Sequence, residues 1–487
     1  MFTAPPLPPE AKRPSRLRGA LSAFGLGATA LVLLVFNLVL FLASAYFVAT
    51  PEGMYHRVWQ STQEHIYDPA VLGDWRKWEH KYDGQLPNDD VAAEKITEML
   101  SSIGDRYTYF MTAKDVQAEN ERSQGNFTGV GMILGVKTDA NDQPVKAADG
   151  KPLPETNADG YPLIKQLMNG GPAKAAGLKV GDAITSVNGK DTRNQSLDQI
   201  IGQIRGSEGT DVTFGLRRDG NDFTVTVTRR KINIPAVTTK KLPGAIGYLR
   251  LEGFDQYDAT DEFKAGLNDL KDSKALIIDL RGNPGGFVNN AVNIASLFIE
   301  QGTVVTIRSR IPGDPKSPQY ETETLKLTAK ALVTETTDSR QPGVTTSSSG
   351  ERQPNMAGDR PVVILVNGNS ASASEMFTGA VKDNKRATVV GTRTFGKGIG
   401  QSSLRMPNGT QLHITSLRYF TPNGTWLGDG GNTQSHGIEP DVVVEAAKNL
   451  EFGEDSDNQL KQAIEILNLK IGGGSHTFFK TLWSCAG

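Results

Sequence analysis

Ala275-Leu276-Ile277-Ile278-Asp279-Leu280-Arg281-Gly282-Asn283-Pro284-Gly285-Gly286 is an apolar run that breaks into a glycine-rich turn. A helix follows, with Val288, Ala291, Ala295 and Phe298 at a period near 3.6. The pattern recurs at 361–366, a second buried-type strand that runs into a small-residue turn and another helix. Strand–turn–helix units of this kind define α/β architecture. Between the two units, 326–360 is rich in Thr, Ser, Gly and charge, and a mobile surface insertion is expected there.

Outward from this body, which spans 233–450, the texture changes. Residues 127–232 hold short β-runs: 130–136, then a Gly/Asp/Pro-rich insertion to about residue 160, then 183–187 ending on Asn188-Gly189. The runs 212–216 and 223–227 make a hairpin across Asp219-Gly220. One helix interrupts them, with Leu197, Ile200, Ile201 and Ile204 on one face, so a small sheet domain with one long helix is expected. Residues 51–126 read as a polar helical collar, in which Ile96, Met99, Leu100 and Ile103 recur at helical spacing before Gly104 stops the helix. At the other end, 451–487 should hold a helix over 459–471 and a glycine-rich, disordered tail.

Residues 1–18 carry Lys12, Arg13, Arg16 and Arg18, and no charge follows from Gly19 to Pro51. An apolar stretch of that length suffices for a bilayer core, which needs roughly 20 residues. The one-sided basic flank puts the N-terminus in the cytoplasm and the body outside. A transmembrane anchor over 19–50 is the expectation. Ala43-Ser44-Ala45 resembles a signal cleavage site, so a secreted form is the alternative.

Composition narrows the chemistry. At 487 residues the chain is long enough for about three units, and a formal net charge of −2 gives no case for nucleic acid. The one cysteine, Cys485, cannot form an intramolecular disulfide. No Cys/His set has metal-ligand spacing, and no metal or cofactor is expected.

Three strings can carry a reaction. Asn367-Gly368-Asn369-Ser370-Ala371-Ser372-Ala373-Ser374-Glu375 follows a buried strand, where a turn serine is exposed at the positive end of a helix dipole. Such a serine suits a nucleophile, although an N-cap serine in a small-residue loop fits the string too. In Thr394-Phe395-Gly396-Lys397-Gly398-Ile399-Gly400-Gln401, glycines let the lysine approach another backbone. Burial there would lower its pKa and leave a neutral amine that can act as general base. Gln401 can orient that amine without adding charge, and a solvated lysine in a glycine turn is the other reading. The Pro284-Gly285-Gly286 turn offers free N–H groups for an oxyanion hole with Ala373. It lacks GxGxxG and a Walker lysine, so nucleotide binding ranks low. The six histidines, His56, His65, His80, His413, His436 and His476, avoid nucleophile-like turns, and structural roles are expected for them.

Taken together these strings resemble the C-terminal processing, or tail-specific, peptidase family. The resemblance runs from about Asn88 to Asn468 and includes Arg418-Tyr419-Phe420-Thr421-Pro422-Asn423-Gly424 and Gly437-Ile438-Glu439-Pro440-Asp441-Val442-Val443. It implies a crotonase-like peptidase core with Ser372 as nucleophile, Lys397 as base and Gln401 as its partner. Ala373 and one of Gly285 or Gly286 would form the oxyanion hole. The β-rich module resembles a PDZ domain, with Val130-Gly131-Met132 as carboxylate-binding loop and 196–205 as the groove helix. The implied partners are proteins or peptides with free C-termini, and an oligomer is left open by the sequence. The implied function is extracytoplasmic endoproteolysis near substrate C-termini. A PDZ adaptor with an inactive body is the alternative.

Overall fold

All five residues of the strand Val362–Val366 are buried, and so are all five of Ala275–Asp279. Branched apolar side chains fit a pleated surface, and burial on both faces removes the alternation of a one-sided sheet. The two strands lie in parallel, with Leu276 opposite Val362 and Asp279 opposite Leu365. They are the middle of a six-stranded sheet: β1 (Val237–Leu242), β2 (Ile246–Leu251), β3 (Ala275–Asp279), β4 (Val362–Val366), β5 (Thr388–Gly391) and β6 (Val442–Val443), in that spatial order. β1 runs antiparallel to β2, and the other pairs are parallel.

The computed structural model describes residues 50–472, except 140–143, 148–149, 169, 234 and 449. The expected anchor in 1–49 and the tail after 472 lie outside the described residues. Among the described residues, no helix is long and apolar enough to cross a membrane.

Alternate side chains of the sheet feed two cores. Leu276, Ile278, Val362, Ile364 and Val366 pack with α1 (Ala259–Asp269), α2 (Val288–Ser296) and α3 (Ala373–Asp383). Ala275, Ile277, Val363 and Leu365 meet Leu460, Ala463, Ile466 and Leu467 of α4 (Asn458–Ile471). Truncating one such isoleucine to alanine costs about 2–5 kcal/mol. The parallel pairing therefore fixes the carboxyl ends of β3 and β4 side by side, and both small-residue turns leave from there. Open α/β sheets place their sites at such an edge.

Two compact units make up the chain. The sheet and its helices belong to the larger, which contains Lys114–Ile311, Gln319–Gly400 and Ser416 onward. Gly302–Ile311, Gln319–Leu327, Leu332–Asp338 and Thr345–Gly350 form an antiparallel run in this unit. The expected mobile insertion at 326–360 thus contains two paired strands. Its threonines are β-branched and favour strands despite their polarity, and Lys326 Nζ reaches Glu335 across the pair at 2.6 Å.

The β-rich module lies in the same unit. Asp211–Arg218 and Asn221–Thr228 pair across Asp219 (φ 50°) and Gly220 (φ 81°), the positive-φ pair a two-residue hairpin requires. Of the expected run 130–136 only Met132–Leu134 is a strand, and Gly131, with φ 73°, turns the chain between it and the preceding strand Asn126–Gly129. The helix Leu197–Ile204 is started by a capping box between Ser196 and Gln199.

The smaller unit holds the described residues to Ala113 with Pro312–Pro318 and Gln401–Thr415. Asn88 Oδ1 caps Asp89–Ser101 by accepting from Val91 N–H at 3.0 Å, and Ile96, Met99 and Leu100 are buried as their spacing predicts.

Candidate active site

β4 ends in a turn whose three serines have different fates. Ser370 is fully buried: its hydroxyl donates to the Leu280 carbonyl at 2.8 Å and accepts from Asn367 N–H at 3.0 Å. Ser374, equally buried, donates to the Asn283 carbonyl at 2.9 Å. These bonds tie the β4 turn to the β3 turn. Ser372 lies between them, half-buried, at φ 55° and ψ −117°, and begins α3. A non-glycine residue held there stores roughly 1–3 kcal/mol of strain, a feature that clusters at functional sites.

Glu375 explains how that conformation is held. Its carboxylate is fully buried within the first turn of α3. One oxygen accepts from Ser372 N–H at 2.9 Å and from Lys397 N–H at 2.8 Å. The other accepts from Gly396 N–H and Thr394 Oγ1, both at 2.6 Å. Burial pushes this carboxyl up, and the four donors offset that only in part, so it stays above its ordinary value. One acid therefore joins the peptide units of Ser372 and Lys397. The hydroxyl of Tyr419, a buried side chain, reaches the carbonyls of the same two residues, 3.0 Å from that of Ser372. Burial drives this phenol well above its ordinary range, so it stays protonated and donates.

The turn after β3 approaches from the other side. A Cβ on Gly285 would stand 2.7 Å from the Ala371 carbonyl oxygen, 2.8 Å from Ala373 N and 2.8 Å from Ser372 Cβ. Only glycine fits this approach, and its φ of 101° is also one L residues avoid. Gly285 N–H donates to Asn283 Oδ1 at 2.9 Å, and its carbonyl accepts from Phe254 N–H at 2.8 Å. Among the described residues, the N–H groups of Gly286 and Ala373 make no hydrogen bond.

The structure thus brings together Ser372, the Lys397 backbone, Ala373, Gly285 and Gly286. Gln401 is the third residue of the strand Ile399–Arg405 and belongs to the smaller unit. His413 stacks on Tyr109 with centroids 4.7 Å apart, and His436 meets Trp426 edge-on at 6.3 Å. Glu375 and Tyr419 have no role in the sequence reading. Ser372-x-x-Glu375 does match the capping-box spacing, a signal that could have marked the acid. Tyr419 offers no comparable local signal.

In the β-rich module, Val130, Gly131 and Met132 line a cavity of about 450 Å³ with Leu197 and Ile201 of the helix Leu197–Ile204. Arg122 and Arg205 line it as well.

The chain belongs to peptidase family S41: it is a serine peptidase with a PDZ domain, the family's model matching residues 245–444 and the PDZ model residues 130–217. Among its relatives, a probable CtpA-like serine protease of Staphylococcus aureus (strain COL) is 30% identical over 410 residues, 81% of this chain and 71% of its own. The one of Staphylococcus saprophyticus subsp. saprophyticus is 29% identical over 406 residues, 82% of this chain and 72% of its own. Among solved structures, the photosystem II D1 C-terminal processing protease matches 88% of this chain and 98% of its own, at 23% identity and TM-score 0.45.

Proposed function

We propose that this peptidase cuts extracytoplasmic proteins near their C-termini, with Ser372 as nucleophile, Lys397 as general base and the PDZ domain reading the substrate's free tail. The observation that carries the catalytic assignment is the shared carboxylate of Glu375 on the N–H groups of Ser372 and Lys397. The flanking serines support it, because both hydroxyls are committed to backbone carbonyls.

In this reading Ser372 Oγ attacks the scissile carbonyl carbon while the neutral Lys397 amine takes its proton. The N–H groups of Ala373 and Gly286 receive the charge that develops on the carbonyl oxygen. Collapse breaks the C–N bond, and Lys397 returns the proton to the leaving amine. Water then repeats the sequence on the acyl-enzyme. Gly286 is preferred to Gly285 as second donor because the Gly285 N–H is already held by Asn283. Gln401 orients the lysine amine, a role that rests on the family resemblance.

Tail reading is supported by the cavity that Val130, Gly131 and Met132 share with Arg122 and Arg205. Backbone amides and guanidinium groups favour a carboxylate over an amide, and hydrogen bonds to a charged group contribute about 1.5–3 kcal/mol. Peptides with apolar C-termini, free or amidated, should therefore bind the Ser372→Ala protein with affinities differing by about tenfold or more. Equal affinity by calorimetry would remove the tail-reading proposal.

The uncharged stretch after Arg18 supports a membrane-anchored body outside the cytoplasm. Full-length protein should sediment with membranes and resist alkaline carbonate. A soluble form whose N-terminus begins near Tyr46 would replace the anchor with a cleaved signal.

A further inference from the structure

In the smaller unit the chain brings two imidazoles onto one carboxylate. His56 is on the helix Pro51–His65, and His80 and Asp83 lie in the turn after the short helix Trp75–Trp78. His56 Nε2 is 3.0 Å from one oxygen of Asp83, and His80 Nδ1 is 2.9 Å from the other. The ring centroids are 5.5 Å apart, and a ligand atom from each residue lies within 4.8 Å of the others. The sequence spacing conceals this set, because helix and turn meet only on folding.

The base beneath these side chains is rigid. Trp59 Nε1 donates to the Trp75 carbonyl and Trp75 Nε1 to the Trp59 carbonyl, both at 3.1 Å. Tyr55 O–H donates to the Trp78 carbonyl at 2.6 Å, and the Tyr55 ring meets His56 and Tyr82 edge-on. The helix and the turn are thus fastened together independently of the histidines, which leaves the imidazoles pre-positioned rather than needed as the fastening.

We propose that His56, His80 and Asp83 bind a divalent first-row metal ion of the zinc class. Two imidazoles with one carboxylate suit Zn²⁺ better than Mg²⁺ or Ca²⁺, which prefer all-oxygen sets. Bonds of about 2.0–2.1 Å at tetrahedral angles put ligand atoms roughly 3.3 Å apart. The short pairs at 2.9 and 3.0 Å fall on different oxygens of Asp83, and the three ligand atoms lie within 4.8 Å of one another, so side-chain rotation has to draw the set in to that spacing. The second nitrogen of His80 lies 3.9 Å from Glu79 Oε1, beyond hydrogen-bond distance, and a side-chain rotation would bring this carboxylate into the outer role that orients metal-bound histidines. Side-chain exposures of 24% for His56, 47% for Asp83 and 71% for His80 leave an entry path and room for water as fourth ligand. The ion ties the helix Pro51–His65 to the turn at 79–84.

The test uses metal-stripped full-length protein titrated with Zn²⁺ by calorimetry and with Co²⁺ by absorption. One equivalent should bind, Co²⁺ should show tetrahedral bands, and the metal-loaded protein should melt higher than the stripped one. His56→Gln and His80→Gln should each weaken binding by about tenfold or more, and the double variant should lose it. Asp83→Asn gives an independent arm should the double variant fail to fold. His65→Gln, on the same helix, should bind as wild type. Absence of stoichiometric uptake by the wild type, or equal uptake by folded double and Asp83→Asn variants, would overturn the site.

Discussion

Ser372→Ala is expected to lower kcat by about 10⁴-fold or more while leaving the unfolding transition nearly unchanged. Alanine meets the same strained backbone at φ 55°, and the N–H bond to Glu375 survives, so only the hydroxyl is lost. The neighbouring serines should behave oppositely. Ser370→Ala removes a hydroxyl that donates to Leu280 and accepts from Asn367, leaving the half-buried Asn367 N–H without its partner while the Leu280 carbonyl keeps its bond from Asn283 N–H at 3.1 Å. That should cost about 1–3 kcal/mol of stability while measurable peptidase activity remains. Ser374→Ala should cost less, because the Asn283 carbonyl keeps its bond from Ala371 N–H at 3.0 Å. Paired melts and initial rates on one peptide separate the three. A folded, inactive Ser370→Ala beside an active Ser372→Ala would move the nucleophile and refute the assignment.

What the sequence revealed follows from the range of the forces involved. The β3 and β4 runs are legible because burial on both faces writes an unbroken apolar string, and the turns after them are legible because close backbone approach demands small residues. Asp219-Gly220 is legible for the same local reason. Glu375 is different: its spacing to Ser372 is local, but its bonds to Gly396 and Lys397 depend on where the segment after β5 returns. Gly285 and Gly286 cannot be separated along the chain either, since only the folded turn shows Asn283 occupying one of the two amides. Composition misled at 326–360, where polar threonines read as loop although they pair as strands. The histidine–aspartate set was missed because it joins a helix to a turn beyond an intervening segment, leaving no periodic trace.

Lys397→Arg should be as inactive as Lys397→Ala, with kcat/KM lower by about 10⁴-fold. Arginine preserves a long basic side chain, and the backbone of residue 397 keeps its bonds to Glu375 and Tyr419. The nucleophile and the oxyanion donors should therefore stay where they are. What changes is protonation: a guanidinium holds its proton at every usable pH and cannot receive one from Ser372. The loss would then be one of chemistry, visible in kcat more than in KM. His413→Gln and His436→Gln supply the opposing arm. His413 contributes its stack on Tyr109 and a 3.2 Å contact between Nδ1 and Ser403 Oγ, so its loss should cost about 1 kcal/mol of stability with little effect on rate. His436 is exposed beside Trp426, and its replacement should be nearly silent in both. A Ser-His-Asp mechanism predicts the reverse order, because removing its base stops the reaction whatever residue 397 is. Measured side by side on one substrate, an active arginine variant or an inactive but well-folded histidine variant would overturn the serine–lysine reading.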